Sequence, residues 1–255
     1  MLPRDSIAAA IASSVARGRP ALVGYLTAGF PTRRQFLENL TQVAGSCDVV
    51  EIGVPFSDPM ADGTTIQRAS FAALAEGVNL PWIIEQLRSL RPRTATPMLL
   101  MSYLNPLLAY GWQALPRDAA GAGVAGFIVP DLPFEESAEV SRALDREGLA
   151  LVQMVTPVTP PERLAMLCRA AQGFVYAVTM TGTTGKAVAV PDEVLRYMDR
   201  VKRCSPVPVC AGFGIRSREQ VLRLAPHVDG VVVGSALVET LERGADIKAF
   251  LESLR

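Results

Sequence analysis

The chain has 255 residues, with 25 Lys and Arg against 25 Asp and Glu for a formal net charge of zero, so it lacks the basic excess of a nucleic-acid or anionic-membrane binder. Hydrophobic residues at 49% and charged residues at 20% exclude a disordered chain and supply apolar surface for one large core. Four scattered cysteines, Cys47, Cys168, Cys204 and Cys210, show no Cys-x-x-Cys spacing, which points to unpaired thiols in a reducing, cytoplasmic setting.

The head Met1-Leu-Pro-Arg-Asp5 carries no net positive charge, so the apolar stretch behind it reads as a helix rather than a secretory leader. Ile7, Ile11 and Val15 recur every fourth residue along it, as an amphipathic helix requires. No apolar run approaches the roughly 18 residues of a membrane span. A first strand is expected at 21–26, a helix at 33–44 and a second strand at 49–52. Side chains alternate along a strand, so Val50 and Ile52 face the outer helices while Val49 and Glu51 point to the opposite side, the interior if the sheet closes. An ionised carboxylate buried there is costly unless it is paired or its pKa rises. Glu51 is therefore an ion-pair partner or a functional acid/base, and no Lys or Arg stands near it in sequence to make the pair. Asp58-Pro59 is a turn signature. Asp62 lies 11 residues beyond Glu51, just ahead of an expected helix at 64–74. It, Thr64 or Thr65 can cap that helix; alternatively the long loop folds over the strand ends and brings a second carboxylate to the same bound molecule.

A helix at 80–90 and strands at 98–101 and 126–129 follow, then a helix at 135–147, a strand at 150–155, a helix at 161–171 and a strand at 174–178. After this sixth strand comes Gly182-Thr-Thr-Gly185-Lys186. It is not a phosphate-binding P-loop, since that motif needs Gly where Met180 stands and Ser or Thr where Ala187 stands. A helix at 191–203 leads to a seventh strand at 207–211 and to Gly212-Phe-Gly214. This pair lacks the third glycine of a dinucleotide fingerprint, because position 217 is Ser, and it sits far from a first βαβ unit. The only histidine, His227, closes a helix at 218–224 and reads as a surface or capping residue rather than a ligand. The eighth strand at 230–233 runs into Gly234-Ser235, where Ser235 opens a last helix.

Strand and helix thus alternate eight times after one extra N-terminal helix. In a chain this long the count favours a single-domain (β/α)8 TIM barrel over an open doubly wound sheet. A barrel places its site at the C-terminal ends of the strands, and barrel enzymes often bind phosphate with the loops after strands seven and eight. The glycines after strands six, seven and eight together point to a phosphorylated ligand.

With these segments in hand, the sequence resembles the tryptophan synthase α chains over essentially its whole length. The resemblance rests on Val50-Glu51-Ile-Gly-Val-Pro-Phe-Ser-Asp-Pro-Met-Ala-Asp-Gly63 with Thr65-Ile-Gln67, supported by Pro130-Asp131-Leu-Pro133, Gly182-Thr-Thr-Gly185, Gly212-Phe-Gly214 and Gly234-Ser235. It implies a barrel lyase that cleaves indole-3-glycerol phosphate to indole and glyceraldehyde 3-phosphate, without a metal or a cofactor of its own. It further implies a β-chain partner in an α2β2 heterotetramer, with pyridoxal phosphate on the β chain. By resemblance Glu51 is the main acid/base, Asp62 the second catalytic carboxylate that accepts the indole N–H, and Tyr176 a tyrosine near the glutamate, although it also reads as a core aromatic. Gly185, Gly214, Gly234 and Ser235 match phosphate-binding positions. Leu22, Ile66, Leu100, Tyr103, Phe127 and Phe213 are expected to wall the indole pocket. Thr184 matches the threonine of a closing loop, and Asp58 and Asp131 match positions that link this loop, the loop after strand two and the β chain. The sequence departs from the family pattern with Thr64 for a usual Pro, Thr183 for a usual Val, and Met180 where some members carry a basic residue. Three further readings stay open: a stand-alone lyase releasing free indole, another phosphate-binding barrel such as a sugar-phosphate isomerase or epimerase, and a non-catalytic subunit.

Overall fold

Eight strands close on themselves in sequence order, each parallel to its neighbours, with the first hydrogen-bonded to the last. The computed structural model describes residues 1–90, 94–179, 190–212 and 214–255. The strands are β1 (Ala21–Thr27), β2 (Val49–Gly53), β3 (Met98–Met101), β4 (Val124–Ile128), β5 (Ala150–Val155), β6 (Val175–Val178), β7 (Val209–Gly212) and β8 (Gly230–Val233). Around them, in chain order, lie helices α1 (Pro3–Ala16), α2 (Phe36–Ser46), α3 (Thr64–Ala75), α4 (Leu80–Leu90), α5 (Leu104–Tyr110), α6 (Leu115–Gly121), α7 (Ala138–Arg146), α8 (Pro161–Ala170), α9 (Asp192–Cys204), α10 (Arg218–Leu224), α11 (Ser235–Glu242) and α12 (Ile247–Ser253). This is the expected (β/α)8 barrel. No helix among the described residues is long and apolar enough to cross a membrane.

The apolar residues sort into two layers by strand parity. Val23, Val49, Leu99, Ile128, Val152 and Phe174 pack together inside the barrel, whereas Leu26, Val50, Ile52, Val175 and Val209 pack with the helices outside. The even positions of β1 lie so close to the helices that a Cβ on Gly24 would stand 2.6 Å from Cys47 Sγ and 2.9 Å from Val43 Cγ1. Each fully buried Ile or Leu contributes about 1.5–3 kcal/mol through removal from water, and both layers are continuous.

Helix α1 plugs the bottom of the barrel. Ile7 and Ile11, both fully buried, join the interior cluster beside Ala21, Val23 and Phe174. The third member of the expected stripe, Val15, is 43% exposed, and Ser14 is buried in its place. The reason is periodicity: at 3.6 residues per turn, a step of four must be followed by a step of three to stay on one face.

Two further expectations shift. The helix expected at 135–147 breaks into a 3-10 turn, Phe134–Glu136, and α7, because the buried Ser137 turns its hydroxyl back to donate to the Phe134 carbonyl at 2.7 Å. The seventh strand begins at Val209 rather than 207, since Pro206 and Pro208 have no N–H to give to a ladder. His227 is half-buried, with Nδ1 2.7 Å from Asp199 Oδ1 of α9.

Candidate active site

Glu51 stands at the centre of the barrel mouth because three strands hold it there. It pairs in register with Tyr25 of β1 on one side and Leu99 of β3 on the other, and the odd positions of β2 point inward. Its side chain is 1% exposed, and its Oε2 has no hydrogen-bond partner among the described residues. Among the described residues no Lys or Arg pairs with it. Burial first, and then the charge of Asp62, push its pKa from 4.5 up to about 8. At neutral pH Glu51 is mostly a neutral acid with a proton to give.

Asp62 reaches the same cavity from the loop after β2. The cap alternative is not what the fold uses: Gly63 is the N-cap of α3 and makes no side-chain cap. Thr64 is the first residue of α3, a position where Pro is favoured. The loop is pinned from both ends. Gln67 Nε2 donates to the Asp62 carbonyl at 2.9 Å, and the Ala61 N–H donates to the Tyr103 hydroxyl at 2.8 Å. That hydroxyl in turn donates to the Asp62 carboxylate, which opposes the effect of burial and leaves the pKa at about 6, above the ordinary 3.8. One carboxyl is thus held as an acid and its neighbour mostly as an anion.

Tyr176 lines the cavity from β6. Burial, followed by the charge of Glu51, raises its pKa well above 10, so its hydroxyl stays protonated. The ring fills the space left by a missing side chain on β7, since a Cβ on Gly212 would stand 2.4 Å from Tyr176 Cε1.

Across the mouth, Gly214, Gly234 and Ser235 edge the same cavity. Gly214 has φ 80°, a left-handed conformation that Gly adopts without strain. Gly234 caps α11 and Ser235 begins it, so backbone N–H groups of that first turn and the positive end of the helix dipole face the cavity. A carboxyl acid, a carboxylate and an anion cradle on one cavity suit acid/base chemistry on a molecule that carries a phosphate.

The remaining expected residues divide. Ile66 lines the cavity, and Tyr103 sits at its rim on Asp62, its ring 5.2 Å from that of Phe56. Leu22, Leu100 and Phe127 do not face the cavity; all three pack in the outer layer with the helices. Their strands put the odd residues of β1 and β3 and, past a register shift after Val124, Gly126 and Ile128 of β4 inside, and Leu22 also lies near the bottom end of β1. Tyr25, Met101 and Val232 provide the apolar wall instead. Asp58 is exposed and accepts from the Ser57 hydroxyl, and Asp131, also exposed, accepts from the Leu104 N–H at 2.9 Å. Both stand around the mouth rather than in it. Gly185, Thr184 and Phe213 lie outside the described residues, as do Met180 and Thr183.

Arg216, like Tyr25, Met101 and Val232 not among the expected site residues, also lines the cavity. The signal for Tyr25 was available, since its parity on β1 and its register opposite Glu51 place it inside. Arg216 gave no such signal, because its partner Glu239 is 23 residues away.

A sequence model described as "Tryptophan synthase alpha chain" matches residues 11–253. The tryptophan synthase alpha chain of Solidesulfovibrio magneticus is 44% identical over 246 residues, covering 96% of each chain. Among solved structures, the aminoacrylate-bound tryptophan synthase from M. tuberculosis superposes with a TM-score of 0.88 at 37% identity, covering 98% of this chain and 97% of that one. A structure of the tryptophan synthase α2β2 complex from Pyrococcus furiosus superposes with a TM-score of 0.86 at 37% identity, covering 92% of this chain and 97% of its own.

Proposed function

The chain belongs to the tryptophan synthase alpha chain family, and on that footing we propose that Glu51 and Asp62 are the acid and the anion of its reaction. As a member of that family it is a lyase of tryptophan biosynthesis, cleaving indole-3-glycerol phosphate to indole and glyceraldehyde 3-phosphate. The observation that carries the assignment of roles is the buried, uncompensated carboxyl of Glu51 beside Asp62.

The bond to be broken joins indole C3 to the first carbon of the glycerol chain. Glu51 gives its proton to C3, and Asp62 accepts the N–H of the ring as that nitrogen becomes electron-poor. The C3–carbon bond then breaks with its electron pair returning to the ring, while the hydroxyl on the departing carbon yields its proton to Glu51 and becomes an aldehyde. One proton has been given and one recovered, so Glu51 ends as it began. Asp62 holds the ring in place by the same bond that stabilises the protonated intermediate. Tyr25, Ile66, Met101 and Val232 supply the apolar wall for the ring, and Gly214, Gly234 and Ser235 the cradle for the phosphate.

Ser235→Asp tests the cradle. A carboxylate at the start of α11 opposes the phosphate dianion, and KM for indole-3-glycerol phosphate is expected to rise about 10- to 100-fold, with a smaller change in kcat. A parent-like KM in steady-state assays removes the phosphate from this place.

We further propose a β chain as partner, in an α2β2 assembly whose β chain carries the pyridoxal phosphate, and a cytoplasmic setting. Met60, Leu108 and Val158 are exposed apolar side chains, 89%, 51% and 75% accessible, in the segments after β2, β3 and β5. They crowd the same end of the barrel as the cavity, where a partner would cover them. The four cysteines are unpaired and three of them are buried, as a reducing compartment allows. The deciding experiment measures indole release by the purified chain, alone and with a β chain added. Release that rises with the β chain supports the pairing; release equal under both conditions makes the chain a stand-alone lyase, and none under either sinks the reading.

A further inference from the structure

The described lining of the cavity holds two carboxyl groups, Glu51 and Asp62, against a single cationic side chain, Arg216. A substrate that enters with a phosphate dianion meets an anion in Asp62, and the dipole of one short helix offers only about half a positive charge in return. The position and orientation of Arg216 bear on this imbalance. It follows β7 two residues after Gly214, and its backbone N–H donates to Gln220 Oε1 at 2.7 Å while Gln220 Nε2 donates to the Gly214 carbonyl at 3.2 Å. The Arg216 side chain is about three-quarters buried, and Glu239 of α11 grips its guanidinium end-on: Nη1 donates to Oε2 at 2.7 Å and Nη2 to Oε1 at 2.8 Å. Thr65 of α3 adds its hydroxyl to Glu239 Oε1 at 3.1 Å. Glu239 lies one helical turn beyond Ser235, so the clasp fixes the guanidinium relative to the first turn of α11.

A guanidinium has five N–H donors, and Glu239 takes two of them. Resting on the reading of a phosphate at Gly214, Gly234 and Ser235, we propose that Arg216 is the cationic ligand of the substrate phosphate, with Glu239 as the positioning residue that aims its remaining N–H groups into the cavity. Arg216 then does more than tie α10 to α11: it supplies the charge that selects phosphorylated indole-glycerol over the free alcohol. Arg suits this task because its planar fork serves a carboxylate on one edge and a phosphate on the other, which a lysine ammonium does not.

The test compares kcat/KM for indole-3-glycerol phosphate with kcat/KM for indole-3-glycerol, which lacks the phosphate, using the full chain. In Arg216→Gln the ratio of the two is expected to fall about 10- to 100-fold, and inhibition by inorganic phosphate to weaken in parallel. In Glu239→Gln, which keeps the cation but loosens the grip that aims it, the ratio is expected to fall in the same direction but less, about 3- to 10-fold. If Arg216 is only a structural clasp, both variants lose activity on both substrates together and the ratio is unchanged; that outcome overturns the proposal. A parent ratio in Glu239→Gln alongside a fall in Arg216→Gln overturns the positioning role given to Glu239, because the cation would then be aimed without it. A parent chain with no preference for the phosphorylated substrate would instead overturn the phosphate reading itself, and this proposal with it.

Discussion

Replacing Glu51 with glutamine is expected to abolish indole release while making the barrel more stable at neutral pH. Glutamine keeps the shape of the side chain but has no proton acidic enough to give to indole C3, so kcat should fall by about 10³-fold or more. The stability gain follows from linkage. A carboxyl that ionises at 4.5 when unfolded but at about 8 when folded favours the folded state fully only below pH 4.5, and this contribution is lost progressively as pH rises toward 8. At pH 7 the burden of keeping Glu51 buried is roughly 3 kcal/mol, and the amide does not carry it. Urea unfolding of parent and variant at pH 4 and pH 7.5 should show a gap that opens with pH. Indole release within tenfold of the parent, or a gap that closes as pH rises, would discard the role given to this residue.

Asp62→Asn is expected to lower kcat about 10²- to 10³-fold and to change the shape of the pH profile. In the parent, activity needs Asp62 ionised and Glu51 protonated, so it should fall below about pH 6 and above about pH 8. Asparagine removes the acidic limb, because no carboxyl remains to be neutralised there. It also withdraws the charge that helps to raise the Glu51 pKa, so the alkaline limb should move below pH 8. A variant with the parent's two limbs would show that Asp62 is not the group titrating near 6.

The sequence made Glu51 legible because an acidic residue at the end of an apolar strand has only two physical outcomes, and strand parity showed which side it faced. Asp62 was less plain, since an acid before a helix is as good a cap as a catalyst; the choice needed Gly63 to be seen in the cap and the Tyr103 hydroxyl on the carboxylate. Leu22, Leu100 and Phe127 show where parity was not carried through. In a barrel strand both faces are apolar, so a leucine facing a helix and one facing the interior look alike in the sequence. Register resolves them, as Tyr25 opposite Glu51 demonstrates. Arg216 was beyond reach because its meaning depends on Glu239 and Thr65, which only the closed barrel brings to it.

Helix α1 has a consequence for traffic. Ile7 and Ile11 are packed into the lower end of the barrel, away from the cavity at the C-terminal ends of the strands. Indole and the triose phosphate formed in that cavity therefore have no path out through the α1 end. A second protein seated on the opposite rim would stand where freed indole leaves the cavity.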